Sequence, residues 1–235
     1  MGEQEAVFII GHVMDKKTSF TSFHEMVCFY EEHLQAGLLK EIEICRKVVA
    51  SDAFSDAEKA EIILMGGHQW RLMSHHKERN EAIDRLKDAA PWERHACTSF
   101  EDVYKVVYDA VADVKYVGPL AWYDAAKRAA CCCGCEPDRW VYLNSGARAG
   151  ARALLGDERV SCSAKKIETA AFRKYFPTLS AMHIENLLCI MKAFFKKGGI
   201  KLDVEVLFKC DCCLRWTCSK ELKEKILTLF PELAD

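Results

Sequence analysis

The chain has 235 residues, 50% hydrophobic and 29% charged, with a formal net charge of −2. This is the composition of a globular protein, one large domain or two small ones with room for a buried core, and it excludes disordered and fibrous classes. No apolar run reaches the roughly 18 residues of a membrane span, and the start, with Glu3 and Glu5, lacks the features of a signal peptide, so a cytoplasmic protein with no membrane partner is expected.

Taken in chain order, the pattern is helical. Leu38, Ile42, Cys45, Val48 and Val49 follow the 3.6-residue period. Ser55 with Glu58 forms a capping box for a helix that stops near Gly66-Gly67. An amphipathic stretch runs from His68 to Ala90, before Pro91. Ser99 caps the next helix, whose apolar face is Val103, Val106, Val107, Ala110, Val111 and Val114. Lys115-Tyr116-Val117-Gly118-Pro119 breaks the pattern, and Pro119 suits the first turn of a helix from Leu120 to the cysteine cluster at 131–135. Trp140–Leu143 is a short apolar link. Helices are then predicted over Ala147–Leu155, over Ala164–Tyr175, and from Ser180 to Gly198-Gly199. Residues 203–208 alternate and predict a short strand or an extended link. Ser219 caps the last helix. The scarcity of Gly (12) and Pro (5) disfavours a turn-rich β-sandwich. The expected fold is all-α, with nine or ten helices. It divides into an acidic N-terminal helical region at 1–98, a core at 99–200, and a Cys-rich segment with a final helix at 201–235.

Charge is unevenly distributed. Residues 1–64 carry 6 basic and 12 acidic side chains, whereas residues 115–174 carry 11 basic and 6 acidic. A local positive stretch can hold a polyanion, or it can be an ordinary solvated face, and charge alone does not choose.

The break at 115–119 supplies the choice. A helix, a tight hairpin containing Val117 and Gly118, and a second helix resemble the helix-hairpin-helix motif, in which backbone N–H groups at a helix N-terminus hold a DNA phosphate without reading sequence. Lys115, Tyr116, Val117, Gly118 and Leu120 are then the DNA-contacting residues, with Val117 and Leu120 also anchoring the hairpin to the core. The motif's first glycine is Tyr116 here. The alternative is a plain helical corner punctuated by Gly and Pro.

The resemblance continues over residues 99–200 to the helix-hairpin-helix DNA glycosylases. Those place an active-site loop of the form apolar-Asp-x-His-apolar-x-Arg beyond the hairpin helix, and Val141-Tyr142-Leu143-Asn144-Ser145-Gly146-Ala147-Arg148 stands in that place. The resemblance implies base excision from double-stranded DNA, with Arg148 at the DNA. Bifunctional members carry a lysine where this chain has Leu120, which implies a monofunctional hydrolase. The catalytic aspartate position holds Asn144, which can orient water but adds no charge. Another carboxylate must then balance the sugar cation, with Asp124 first and Asp138 and Glu185 behind it, or the chain is a non-catalytic DNA-binding module. The bland role for Asp124 is a salt bridge to Arg128 at i+4. A divergent site points to an unusual base, such as the bulky modified bases of phage DNA, and hence to a role in defence.

Two further groups stand out. His68, Gln69 and Trp70 offer a base pocket by stacking and edge hydrogen bonding, or a partly exposed helix start. The 13 cysteines read as reduced thiols in a chain this long and apolar, and Cys28, Cys45 and Cys189 read as core residues. Cys131, Cys132, Cys133 and Cys135 form one cluster. Cys210, Cys212, Cys213 and Cys218 form another, which resembles the end of the iron–sulfur loop of endonuclease III-like glycosylases but lacks its first cysteine. No cofactor is expected; Zn or an Fe–S cluster on these cysteines is the alternative, and it would make the chain a metal-coordinating interaction protein.

Overall fold

Capping boxes start two helices where the sequence places them. Ser55 and Glu58, and likewise Ser99 and Asp102, exchange side-chain and backbone hydrogen bonds in both directions. The structure is a computed structural model, and it describes residues 15–67, 70–93, 97–204, 206–209 and 217–233. In chain order the described elements are β1 (Asp15–Thr18), α1 (Phe23–His33), α2 (Gln35–Ala50), α3 (Asp56–Met65), α4 (Trp70–Met73), α5 (His76–Ala89), α6 (Phe100–Val111), α7 (Pro119–Cys133), β2 (Trp140–Tyr142), α8 (Ser145–Leu155), β3 (Lys166–Glu168), α9 (Ala181–Ile190), β4 (Phe195–Lys196), β5 (Gly199–Ile200), β6 (Val206–Lys209) and α10 (Lys220–Leu229). The fold is all-α: among the described residues the strands form three two-stranded antiparallel sheets, β1 with β6, β2 with β3 and β4 with β5. None of the described helices is long and apolar enough to cross a membrane.

The chain forms two compact units. One holds residues 37–134 and 217–233, the other residues 15–36 and 135–209. The expected boundary at 98 falls inside the first unit, where α5 packs on α6 and α3 on α7.

The first unit is organised around Arg128 of α7, which is 1% exposed. Its Nε donates to the Glu41 carboxylate at 2.5 Å. One terminal nitrogen donates to the carbonyls of Ile63 and Leu64 (2.9 and 3.2 Å), the other to that of Gly67 (3.1 Å). The last carbonyls of a helix have no intrahelical partner, and a cation there also meets the negative end of the helix dipole. Burial works against the charge, but Glu41, with Asp124 and Cys45 behind it, holds the guanidinium above its ordinary pKa. Gly66-Gly67 follows from the same packing: a Cβ on Gly66 would lie 3.0 Å from Arg128 Nε, and one on Gly67 3.1 Å from a Glu41 carboxylate oxygen. The segment before α10 is pinned to the same helix end, with Thr217 Oγ1 donating to the Met65 carbonyl (2.7 Å) and the Ser219 N–H to Glu61 (2.5 Å).

In the second unit α8 lies directly on α9. A Cβ on Gly146 would sit 2.3 Å from Cys189 Sγ, and one on Gly150 would sit 2.1 Å from the Leu188 carbonyl oxygen. The small residues of α8 are there because two backbones touch. Phe20 packs edge-on against Phe29 and Phe194, and Tyr30 OH bonds His183 Nδ1 at 3.0 Å, which joins α1 to α9.

Four expectations are corrected. The His68–Ala90 stretch is not one helix: α4 ends at Met73 and α5 begins after His75, whose ring is taken up by stacking on Tyr116. Ala164–Tyr175 is not helical throughout, because Lys166–Glu168 pairs with Trp140–Tyr142 and only a short 3-10 turn, Thr169–Phe172, follows. The helix from Ser180 ends at Ile190, and a hairpin turning at Gly198 (φ +71°) replaces its predicted end. Cys28 is exposed rather than in the core. Residues 206–209 do form a strand.

Candidate nucleic-acid interface

The α6–α7 hairpin is built by two successive tight turns, the Val114 N–H bonding the Val111 carbonyl and the Val117 N–H bonding the Val114 carbonyl. Arg85 of α5 holds the end of α6, donating to Asp113 at 2.5 Å and to the Ala110 carbonyl at 3.4 Å. Val117 is 4% exposed and anchors the hairpin as expected. Leu120 does not: it is 46% exposed, because the second position of α7 turns outward while Ala121 and Tyr123 turn in.

Tyr116 stands within this turn, and its backbone takes a conformation that favours glycine. Its φ is +68°, in the left-handed region, which costs an L-residue roughly 1–2 kcal/mol. The ring stacks on His75, with centroids 3.7 Å apart and planes 11° from parallel. Lys115 Nζ lies 4.7 Å from the Tyr116 ring centroid, and the neighbouring Tyr116 side chain raises the lysine's pKa. The hairpin thus keeps a glycine-type conformation with an aromatic side chain, braced by a histidine that no sequence pattern links to it.

Gly118 is the N-cap of α7, in an extended conformation (φ −100°, ψ −179°) open to any residue. It supplies no side-chain cap, and the first turn holds no acidic residue. The first-turn N–H groups of a helix lack intrahelical partners, so this helix start suits an anion. A Cβ on Gly118 would meet nothing within 4 Å. Gly118→Val is therefore expected to fold with a stability change of at most about 1 kcal/mol; if the hairpin holds DNA, the same variant should weaken binding to all duplexes alike, as gel-shift and melting measurements would show. Unchanged affinity in the folded variant removes the hairpin as a DNA contact.

Asp124 is buried on α7 (8% exposed) and pairs with Lys127 Nζ at 3.2 Å. The i+4 salt bridge to Arg128 is not formed, since that guanidinium is taken by Glu41. Asn144 lies in the other unit, where β2 leads into α8. It is the N-cap by position, yet its side chain makes no cap hydrogen bond, and its Nδ2 is buried without a hydrogen-bond partner. Behind it, Arg148 Nε donates to the Ala164 carbonyl and a terminal nitrogen to that of Leu143, both at 2.8 Å. Arg148 is a brace for the Asn144 loop. Asp138 is exposed, and Glu185 of α9 is buried at 7%.

His68 and Gln69 lie outside the described residues. Trp70 opens α4, and its side chain lies outside them too. Cys210, Cys212 and Cys213 also fall outside; Cys218 is buried, its thiol pushed up to about 12 by burial and by Glu61. Cys131 and Cys133 are buried, while Cys132 and Cys135 are half-buried. Among the described residues no three His, Cys, Asp or Glu side chains gather where a metal ion could sit. No family model, no curated protein and no solved structure matches the chain.

Proposed function

We propose that this protein is a cytoplasmic, monofunctional DNA glycosylase. It holds duplex DNA at the 115–118 hairpin, extrudes a modified nucleotide and hydrolyses its N-glycosidic bond to leave an abasic site. The observation that carries the reading is the amide nitrogen of the half-buried Asn144: Nδ2 is buried without a hydrogen-bond partner, at a helix start on the loop that takes the active-site position in the resemblance. A buried donor without a partner costs about 1–3 kcal/mol, and a bound water or a substrate oxygen would satisfy it.

In this reading Asn144 positions the water that attacks the sugar C1′. The bond from C1′ to the base nitrogen breaks, its electron pair leaves with the base, and a carboxylate takes the water's proton while offsetting the cationic sugar. Glu185 is the better candidate for that carboxylate, being buried in the unit that contains Asn144. Asp124 is already neutralised by Lys127, and this pairing also favours the second reading, a DNA-binding module without catalysis.

A panel of duplexes, each carrying one modified base, tests the assignment. Release of a base with strand breaks only after added alkali is the expected result, and borohydride should trap no covalent complex because Leu120 offers no amine. DNA binding with no base released from any duplex would leave the non-catalytic module, and efficient trapping would make the enzyme a lyase.

A further inference from the structure

The β2–β3 ribbon presents cations next to the Asn144 loop. Trp140 pairs with Glu168, Val141 with Ile167 and Tyr142 with Lys166, so Trp140, Tyr142, Lys166 and Glu168 share one face and Val141, fully buried, points the other way. Lys166 Nζ lies 4.6 Å from the Trp140 ring centroid and 5.6 Å from that of Tyr142, and the Arg139 guanidinium lies 4.9 Å from Trp140. Rings that already hold a long side chain reduce the ordering that binding must impose on it. Lys165 is exposed, and its carbonyl accepts the Leu143 N–H at 2.8 Å, which places it beside the residue preceding Asn144. Arg148 ties the carbonyls of Leu143 and Ala164 together, so the loop and the two lysines are braced as one piece.

The ribbon and the segment around it are net positive, with Asp138 exposed just before Arg139. Residues 139–174 carry 8 basic and 3 acidic side chains. Each of the three carboxylates is held by a cation: Asp157 by Arg152 at 2.8 Å, Glu158 by Lys197 at 2.6 Å and Glu168 by Arg139 at 3.0 Å.

We propose that Lys165 and Lys166 form a second DNA contact, one that holds the phosphate backbone of the duplex beside the Asn144 loop. The proposal rests on the reading of the chain as a duplex-DNA binder, and it gives the second unit its own hold on the nucleic acid. Phosphate contacts of this kind set register and carry no sequence information.

The test is the salt dependence of duplex affinity for the wild-type chain, for Lys165→Gln with Lys166→Gln, and for Lys165→Arg with Lys166→Arg. Each lysine on a phosphate adds about 0.9 to the slope of log affinity against log salt. The glutamine pair should flatten that slope by about 2 and weaken binding at low salt by roughly tenfold or more, with an unchanged melting temperature. The arginine pair should keep the wild-type slope. A glutamine pair with wild-type slope and affinity, alongside a weakened Gly118→Val, overturns the second contact and leaves the hairpin reading standing; the lysines would then face another partner, such as an acidic protein surface. A wild-type chain that binds no duplex at low salt overturns both.

Discussion

If the chain excises bases as proposed, Asn144→Ala should lower single-turnover excision about a hundredfold, the usual scale for losing a group that positions a reactant, while duplex affinity stays near wild type. The accompanying stability measurement decides what the residue is for. A side chain that capped α8 would cost about 1 kcal/mol on removal, and the melting temperature would fall. The Asn144 side chain makes no cap bond, and its buried Nδ2 has no partner. Removing it deletes an unsatisfied group, so the melting temperature should hold or rise. Slow excision with undiminished stability is the signature of a positioning residue, and wild-type excision would end that role. Glu185→Gln and Asp124→Asn separate the two carboxylates. The first should slow excision as Asn144→Ala does, whereas the second should chiefly destabilise the fold, because it removes the carboxylate charge from the buried Asp124–Lys127 ion pair.

The largest stability change is expected at Arg128. Arg128→Met strands the Glu41 carboxylate, whose side chain is 12% exposed, and removes the donor to the carbonyls of Ile63 and Leu64 at the end of α3 and of Gly67 just beyond it. Breaking a buried pair in this way costs about 3–5 kcal/mol, a large share of the roughly 5–15 kcal/mol that stabilises a typical domain. The midpoint of urea unfolding followed by circular dichroism should fall accordingly. Arg128→Lys should recover little, since one ammonium cannot span the oxygens that a planar fork reaches. A loss below about 1 kcal/mol would mean that the guanidinium is not the staple its geometry describes.

The elements that were legible from sequence are those whose cause is local. Ser55 with Glu58 and Ser99 with Asp102 are capping boxes that close within one helical turn. The valine face of α6 and the Leu38–Val48 face of α2 follow from period alone, and Pro119 does stand at the first position of α7. Where elements were misplaced, a distant partner overrode local preference. Lys166–Glu168 is a strand because Trp140–Tyr142 offers it an edge. The stretch beginning at His68 is interrupted at His75, whose ring lies on Tyr116.

The candidate site divides in the same way. Lys115 to Gly118 stand out in the sequence because glycine and proline mark backbone that must turn or approach closely, whereas Asn144 stands out only through the resemblance to the glycosylase loop. That Tyr116 keeps a left-handed backbone, that Leu120 points outward, and that Lys166 lies over Trp140 depend on contacts made across many residues. Packing also distinguishes the carboxylates: the sequence reading put Asp124 ahead of Asp138 and Glu185, and the structure leaves the first ion-paired, the second exposed and the third buried. Short-range steric and hydrogen-bond rules act within a turn of helix and can be read along the chain. Side-chain partnership is decided by which surfaces the whole fold brings together.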